Sequence, residues 1–124
     1  MKKYAETHEW VDVNERKGRV GISIHAQKEL GEIVYVELPK VGQEIKAGEE
    51  VAVLESTKAA ADIYSPVSGK ITAVNEKVKE DPSLMNKSPE GEGYLFEIAL
   101  THPEECEVLT SEDEYHQWIV QSTH

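Results

Sequence analysis

Cysteine is nearly absent: Cys106 is the only one among 124 residues. No intramolecular disulfide is therefore possible, and no oxidising compartment is required. Cys106 stands in Glu104-Glu105-Cys106-Glu107, where flanking carboxylates oppose a thiolate, so it reads as a structural thiol. Aromatics are few, with one Phe, two Trp and five Tyr, which points to a core of Val, Ile, Leu and Ala. No apolar run approaches the roughly 20 residues that span a bilayer, and no membrane is expected. Basic residues are outnumbered: 13 Lys plus Arg against 24 Asp plus Glu leave −11 at neutral pH. Such a surface repels phosphate backbones, so nucleic acid is not an expected partner. The start, Met1-Lys2-Lys3-Tyr4-Ala5-Glu6, has neither the apolar core of a secretory signal nor the acid-poor character of a transit peptide. A cytoplasmic location is expected, or the mitochondrial matrix if a transit peptide has been removed.

Motifs of self-contained catalysis are also missing. His8-Glu9-Trp10-Val11-Asp12 begins like a zinc-protease helix but ends in Asp where a second His is required. His8, His25, His102, His116 and His124 show no metal-ligand spacing, and one cysteine cannot build a zinc cluster. There is no Gly-x-Ser-x-Gly elbow, phosphate-binding loop or dinucleotide fingerprint. No catalytic residue and no metal ligand is nominated.

What is present reads as one domain over 1–124, a length typical of single domains. A sandwich core is expected at about 19–100 and a helical segment at about 101–121. Strand candidates are Val11–Val13, Arg19–Ile24, Ile33–Leu38, Ile45, Val51–Leu54, Ile63–Tyr64, Lys70–Val74 and Leu95–Leu100. Asn14-Glu15-Arg16-Lys17-Gly18 reads as a polar hairpin loop ending in glycine. Ser23 is placed to cap a short helix that Gly31 stops. Strands this short, punctuated by Pro39, Gly42, Gly48, Pro66 and Gly69, suit a small β-sandwich or barrel and not a βαβ sheet. Residues 101–124 hold six acids and no Lys or Arg. Within them Thr101-His102-Pro103-Glu104 and Ser111-Glu112-Asp113-Glu114 match capping boxes, and Tyr115, Trp118 and Ile119 form one apolar stripe. The acidic run reads as a solvated helical face.

The informative stretch is Val51-Ala52-Val53-Leu54-Glu55-Ser56-Thr57-Lys58-Ala59-Ala60-Ala61-Asp62-Ile63-Tyr64. An apolar strand enters Glu-Ser-Thr-Lys and a second strand leaves it. Lys58 is thereby expected near a hairpin tip among small side chains, its primary amine open to an acylating enzyme.

Glu55-Ser56-Thr57-Lys58-Ala59 resembles the lipoylation site of the glycine cleavage H-protein family, whose usual form is Glu-Ser-Val-Lys-Ala. The resemblance runs from about Tyr4 to Val120. It includes Thr7-His8-Glu9-Trp10, Leu30-Gly31-Glu32-Ile33-Val34-Tyr35-Val36-Glu37-Leu38-Pro39, Gly48-Glu49, Pro66-Val67-Ser68-Gly69, Val74-Asn75, Asn86, Pro89 and Gly91-Glu92-Gly93. Thr57 stands where Val is common, Thr7 where Ser is frequent, and Tyr94 where Trp is usual. The resemblance implies a mainly β, hybrid barrel-sandwich fold of the lipoyl/biotinyl type, with short peripheral and C-terminal helices. It implies lipoic acid in amide linkage on Lys58, with Glu55, Ser56, Thr57 and Ala59 as recognition context. The implied role is that of a monomeric, non-catalytic carrier. It would receive an aminomethyl group from a pyridoxal-phosphate-dependent glycine decarboxylase and present it to a tetrahydrofolate-dependent aminomethyltransferase. Dihydrolipoamide dehydrogenase would reoxidise the arm, and a lipoate ligase or lipoyl transferase would install it. By matching position, Thr7, Glu9 and Asp62 would hold the amine of the loaded arm in a surface cleft, and Glu9 and Asp62 are expected to be largely exposed.

Two other readings use the same lysine. One is a lipoyl or octanoyl relay in lipoate assembly, which the residues do not separate from the first. The other is a lipoyl or biotinyl domain of a dehydrogenase or carboxylase. Biotin sites usually place Met on both sides of the lysine, and dehydrogenase lipoyl sites usually read Asp-Lys-Ala; here the neighbours are Thr57 and Ala59.

Overall fold

A computed structural model describes residues 1–122. In chain order the elements are β1 (Lys2–Tyr4), β2 (Glu9–Asn14), β3 (Lys17–Ile22), α1 (Ile24–Leu30), β4 (Ile33–Glu37), β5 (Glu44–Ile45), β6 (Glu50–Ser56) and β7 (Ala60–Tyr64). There follow β8 (Gly69–Val74), α2 (Glu76–Glu80), α3 (Leu84–Lys87), β9 (Phe96–Leu100), a 3-10 helix (Pro103–Val108), β10 (Thr110–Ser111) and α4 (Glu112–Ser122). One sheet runs β10-β1-β2-β3-β9-β8-β5 and the other β4-β6-β7. Neighbouring strands pair antiparallel in both sheets.

Inward-facing residues of the two sheets make one apolar cluster that includes Val20, Ile22, Val36, Leu54, Ile71, Phe96 and Ile98. This is the expected mainly β sandwich with short helices, and its core is aliphatic as the composition required. A second cluster joins Tyr4, Trp10 and Tyr115. The Tyr4 and Tyr115 rings stack at 4.1 Å, and the Trp10 indole N–H donates to the Ile22 carbonyl at 2.8 Å. Together they seat α4 against β1.

Several boundaries differ from the sequence reading. The core is not confined to 19–100: Val11 and Cys106 belong to the main cluster, and β1 and β10 extend the larger sheet. The hairpin between β2 and β3 is tighter than expected, because Asn14 pairs with Lys17. Glu15 takes the left-handed turn conformation (φ 60°), while Gly18 lies inside β3. Gly18 is there for packing: a β-carbon on it would meet the Val11 side chain at 2.8 Å. The box at Thr101 does not form. His102 is the N-cap of the 3-10 helix, with no side-chain cap bond. Glu105 instead accepts from the Ser68 N–H and hydroxyl, both at 2.8 Å. The other two helix starts hold. Ser23 accepts from Ala26 N–H at 3.1 Å, and Ser111 accepts from Glu114 N–H at 3.3 Å. Of the C-terminal stripe, Tyr115 is buried, whereas Trp118 stays 41% exposed and stacks on His8 at 5.2 Å.

Candidate functional site

β6 and β7 pair from Glu50 to Tyr64, and residues 57–59 form the tip of their hairpin. Ser56 shapes that tip. Its N–H donates to the Ala59 carbonyl at 2.8 Å, and its hydroxyl donates to the same carbonyl at 3.1 Å. The hydroxyl also accepts from the Lys58 and Ala59 N–H groups, each at 3.1 Å. A side-chain oxygen thus closes the turn by local bonding, as serine does in tight loops. Lys58 projects from it exposed, between exposed Thr57 and Ala59, and Glu55 is exposed at the end of β6.

The lysine stem lies against the end of α1. Gly31 caps that helix with φ 83° and ψ −146°, a conformation in which L side chains are strained. A β-carbon there would come within 3.4 Å of Lys58 Cε and 3.8 Å of Nζ. A cleft of about 400 Å³ lies between α1 and β7, with Leu30, the residue before Gly31, on its wall. Ile22, Ala26, Leu30 and Ile63 give it apolar walls, and Thr7, His8, Glu9, Glu29 and Asp62 supply its polar groups. Neither lysine nor arginine lines it, so its charge is of one sign.

Glu9 departs most from expectation. It is 2% exposed, although β2 carries it to the rim of the sheet. His8 adopts φ 74° in a turn that closes on Ala5, and Thr7 Oγ1 donates to Glu9 Oε1 across it. Tyr64 N–H donates to Glu9 Oε2 at 3.2 Å. Burial pushes the Glu9 carboxyl up, against the lowering effect of these two bonds. Among the described residues it has no cationic partner. Asp62 is exposed, as expected, and its charge raises the carboxyl of neighbouring Glu50. Thr7, Glu9 and Asp62 therefore share one cleft. Glu29, His8 and the apolar walls join them unannounced, since the only sequence signal for α1 as a wall was its Ser23 cap and Gly31 stop.

A seven-stranded and a three-stranded sheet sharing one core, with a lysine offered at the tip of an exposed hairpin, define a carrier fold of the barrel-sandwich hybrid class. Comparison with known proteins narrows this. The family model described as "Glycine cleavage H-protein" matches residues 2–122. The chain is 53% identical over 121 residues to the glycine cleavage system H protein of Thermotoga maritima, covering 98% of each chain. To that of Legionella pneumophila (strain Corby) it is 46% identical over 119 residues, covering 96% of this chain and 95% of the other. The crystal structure of the glycine cleavage system H protein from Mycobacterium marinum superposes with a TM-score of 0.88 at 34% identity, covering 96% of both chains. The chain belongs to the glycine cleavage H-protein family.

Proposed function

We propose that this chain carries lipoic acid in amide linkage on Lys58 and serves as the non-catalytic shuttle of glycine cleavage, with Thr7, Glu9 and Asp62 receiving the amine of its cargo. The observation that carries the reading is the cleft: apolar walls that include Leu30, next to the Gly31 against which the Lys58 stem lies, with a buried carboxylate that has no cationic partner among the described residues. That set of apolar walls and carboxylate acceptors fits an alkyl arm ending in an ammonium, which donates. A lipoyl group on Lys58 would supply a strained disulfide that opens to accept a one-carbon unit and closes on reoxidation.

The protein's own contribution is positional. Ser56 fixes the turn so that the amine stands clear of the sheet. Gly31 is required by its φ of 83°, since a β-carbon there would only touch the stem at 3.4 Å, and α1 rises about 1.5 Å per residue, so Ala26 stands about 7–8 Å back along the wall. Glu9 and Asp62 attract an ammonium, and Thr7 fixes the Glu9 carboxylate through its hydroxyl. Shielding the amine from water slows loss of the aminomethyl cargo. The glycine decarboxylase, the aminomethyltransferase and dihydrolipoamide dehydrogenase supply the chemistry, and a lipoate ligase or lipoyl transferase loads the arm.

The test is intact-mass measurement after expression with lipoate, followed by peptide mapping. Lipoate on Lys58 alone is expected, changing the formal charge from −11 to −12. Lys58→Arg should fold normally and abolish glycine decarboxylation with its partners. Lipoate found on Lys40, Lys46 or Lys70, or full activity of the arginine variant, would end the reading.

A further inference from the structure

We propose that Asn86 is a positioning residue for the acceptor lysine, holding the Lys58 turn against the end of α1 through the connector Gly31-Glu32. The inference rests on the reading of Lys58 as the acylated residue. Asn86 lies on α3, 28 positions further along the chain than Lys58, yet its side-chain amide grips both flanks of one residue of the connector. Nδ2 donates to the Gly31 carbonyl at 2.8 Å, and Oδ1 accepts from the Ile33 N–H at 2.9 Å. Glu32, between them, offers its own carbonyl to the Thr57 N–H at 3.0 Å. Thr57 precedes the lysine. Three hydrogen bonds therefore join α3 to the connector and the connector to the acceptor turn.

The chemistry of the side chain matters. Both bonds require a donor and an acceptor on one short planar group, which asparagine has and aspartate and alanine lack. Asn86→Asp keeps the acceptor for Ile33 but sets a carboxylate oxygen against the Gly31 carbonyl. Asn86→Ala removes both partners from backbone groups of the connector. Either change frees Glu32 to shift, and with it the carbonyl that holds Thr57 N–H. The turn would keep its Ser56 bonds, so its shape should persist while its placement loosens. An amine displaced by about 1 Å loses much of the rate advantage that orientation provides, on the order of tenfold or more.

The experiment uses the full apo chain with a lipoate ligase, lipoate and ATP, and follows acylation of Lys58 by mass. Amide hydrogen exchange is measured in parallel. Wild type should show a protected Thr57 N–H. In Asn86→Ala and Asn86→Asp, Thr57 should exchange at least about tenfold faster while the Val20 and Phe96 amides keep their protection. Acylation kcat should fall about tenfold with KM within about twofold, because the docking surface is intact and only the amine is misplaced. Reaction of the exposed amine with acetic anhydride should be unchanged. An unprotected Thr57 in wild type overturns the proposal without recourse to any variant. Unchanged kcat in both variants, or a rise in KM alone, overturns it as well. Acylation of wild type at another lysine overturns the reading beneath it, while Thr57 exchange still reports on the bracket itself.

Discussion

Glu9 shows what a buried carboxylate does to the fold that encloses it. Its carboxylate is buried, accepts from Thr7 and Tyr64, and meets no cation among the described residues. Burial raises its pKa above the ordinary 4.5. A carboxyl so raised opposes folding once ionised: stability is highest below 4.5 and falls as pH rises from 4.5 through the higher folded value. Glu9→Gln keeps the shape and removes the charge, so it should be as stable as wild type at pH 7 or more stable by up to about 1 kcal/mol. That gain corresponds to about 3–6 °C in Tm for a domain of this size. The same change should shorten the life of the aminomethyl-loaded form. A charge-assisted hydrogen bond is worth about 1.5–3 kcal/mol in a shielded site, or about 10- to 100-fold in rate if lost wholly from the ground state. Asp62→Asn, at an exposed position, should lie at the low end of that range. Thermal melts and ammonia release without the transferase measure both effects. A Glu9→Gln chain that is less stable and holds its cargo equally well would reverse the assignment.

The cleft's far wall depends on how α4 docks. Tyr115 OH lies 2.7 Å from His8 Nδ1 and donates to Ser23 Oγ, the cap of α1, also at 2.7 Å. One phenol thus joins the Thr7-His8-Glu9 turn, α1 and α4. His8 also packs against Trp118 and against His25, which itself pairs with Glu29. Burial first, and then the charge of His25, lower the His8 pKa, with Glu29 opposing. The unfolded chain therefore binds the proton more readily, and His8 withdraws stability as pH falls from 6.5 toward its lower folded value. Acidification over that window should loosen α4, seen as faster amide exchange at Tyr115 and red-shifted Trp118 emission. Asn also tolerates the left-handed backbone at this position, so His8→Asn should abolish the pH dependence without unfolding the turn. Persistence of that dependence in the variant would place its source elsewhere. Elements of this kind were unevenly legible in the sequence. β3, β4, β6, β8 and β9 announced themselves as apolar runs between glycines and prolines. β1 and β10 did not, because three and two residues carry no period and exist only by pairing with each other and with β2. The short α2 and α3 were hidden for a similar reason. Lys58 was legible at the tip because a hairpin tip is a local structure, whereas the part Ser56 plays in closing the turn emerged only with the hydrogen bonds. The burial of Glu9 was not, since Tyr64, 55 positions away, helps to enclose it.

At the scale of the whole molecule the dominant quantity is charge. The formal −11 is spread unequally, with six acids and no Lys or Arg after residue 100. Glu112, Asp113 and Glu114 occupy the first turn of α4, where the helix dipole favours them. They have a local structural reason to be there. The acids of the β4-β6-β7 sheet are different: Glu55 stands beside the tip, and Glu50, at the opposite end of β6, lies close enough to Asp62 and Glu37 that their charges raise its carboxyl. Crowded like charges on one face oppose folding and favour a cationic surface brought against them. On the proposed role, a carrier that meets several enzymes in turn gains from fast encounter more than from tight binding, and complementary charge raises the encounter rate. Association with the glycine decarboxylase should therefore slow by about tenfold or more between low salt and about 0.3 M, as the screening length falls below about 10 Å. Glu55→Gln with Glu50→Gln should reduce both the low-salt rate and its salt slope, the outcome expected where the β4-β6-β7 sheet is the face presented to the enzyme. Glu112→Gln with Asp113→Asn removes the same net charge from α4 and should change the rate far less. Stopped-flow mixing across a salt series measures all three chains. Equal slopes would show that net charge alone steers the encounter, and a flat wild-type response would remove electrostatic steering altogether.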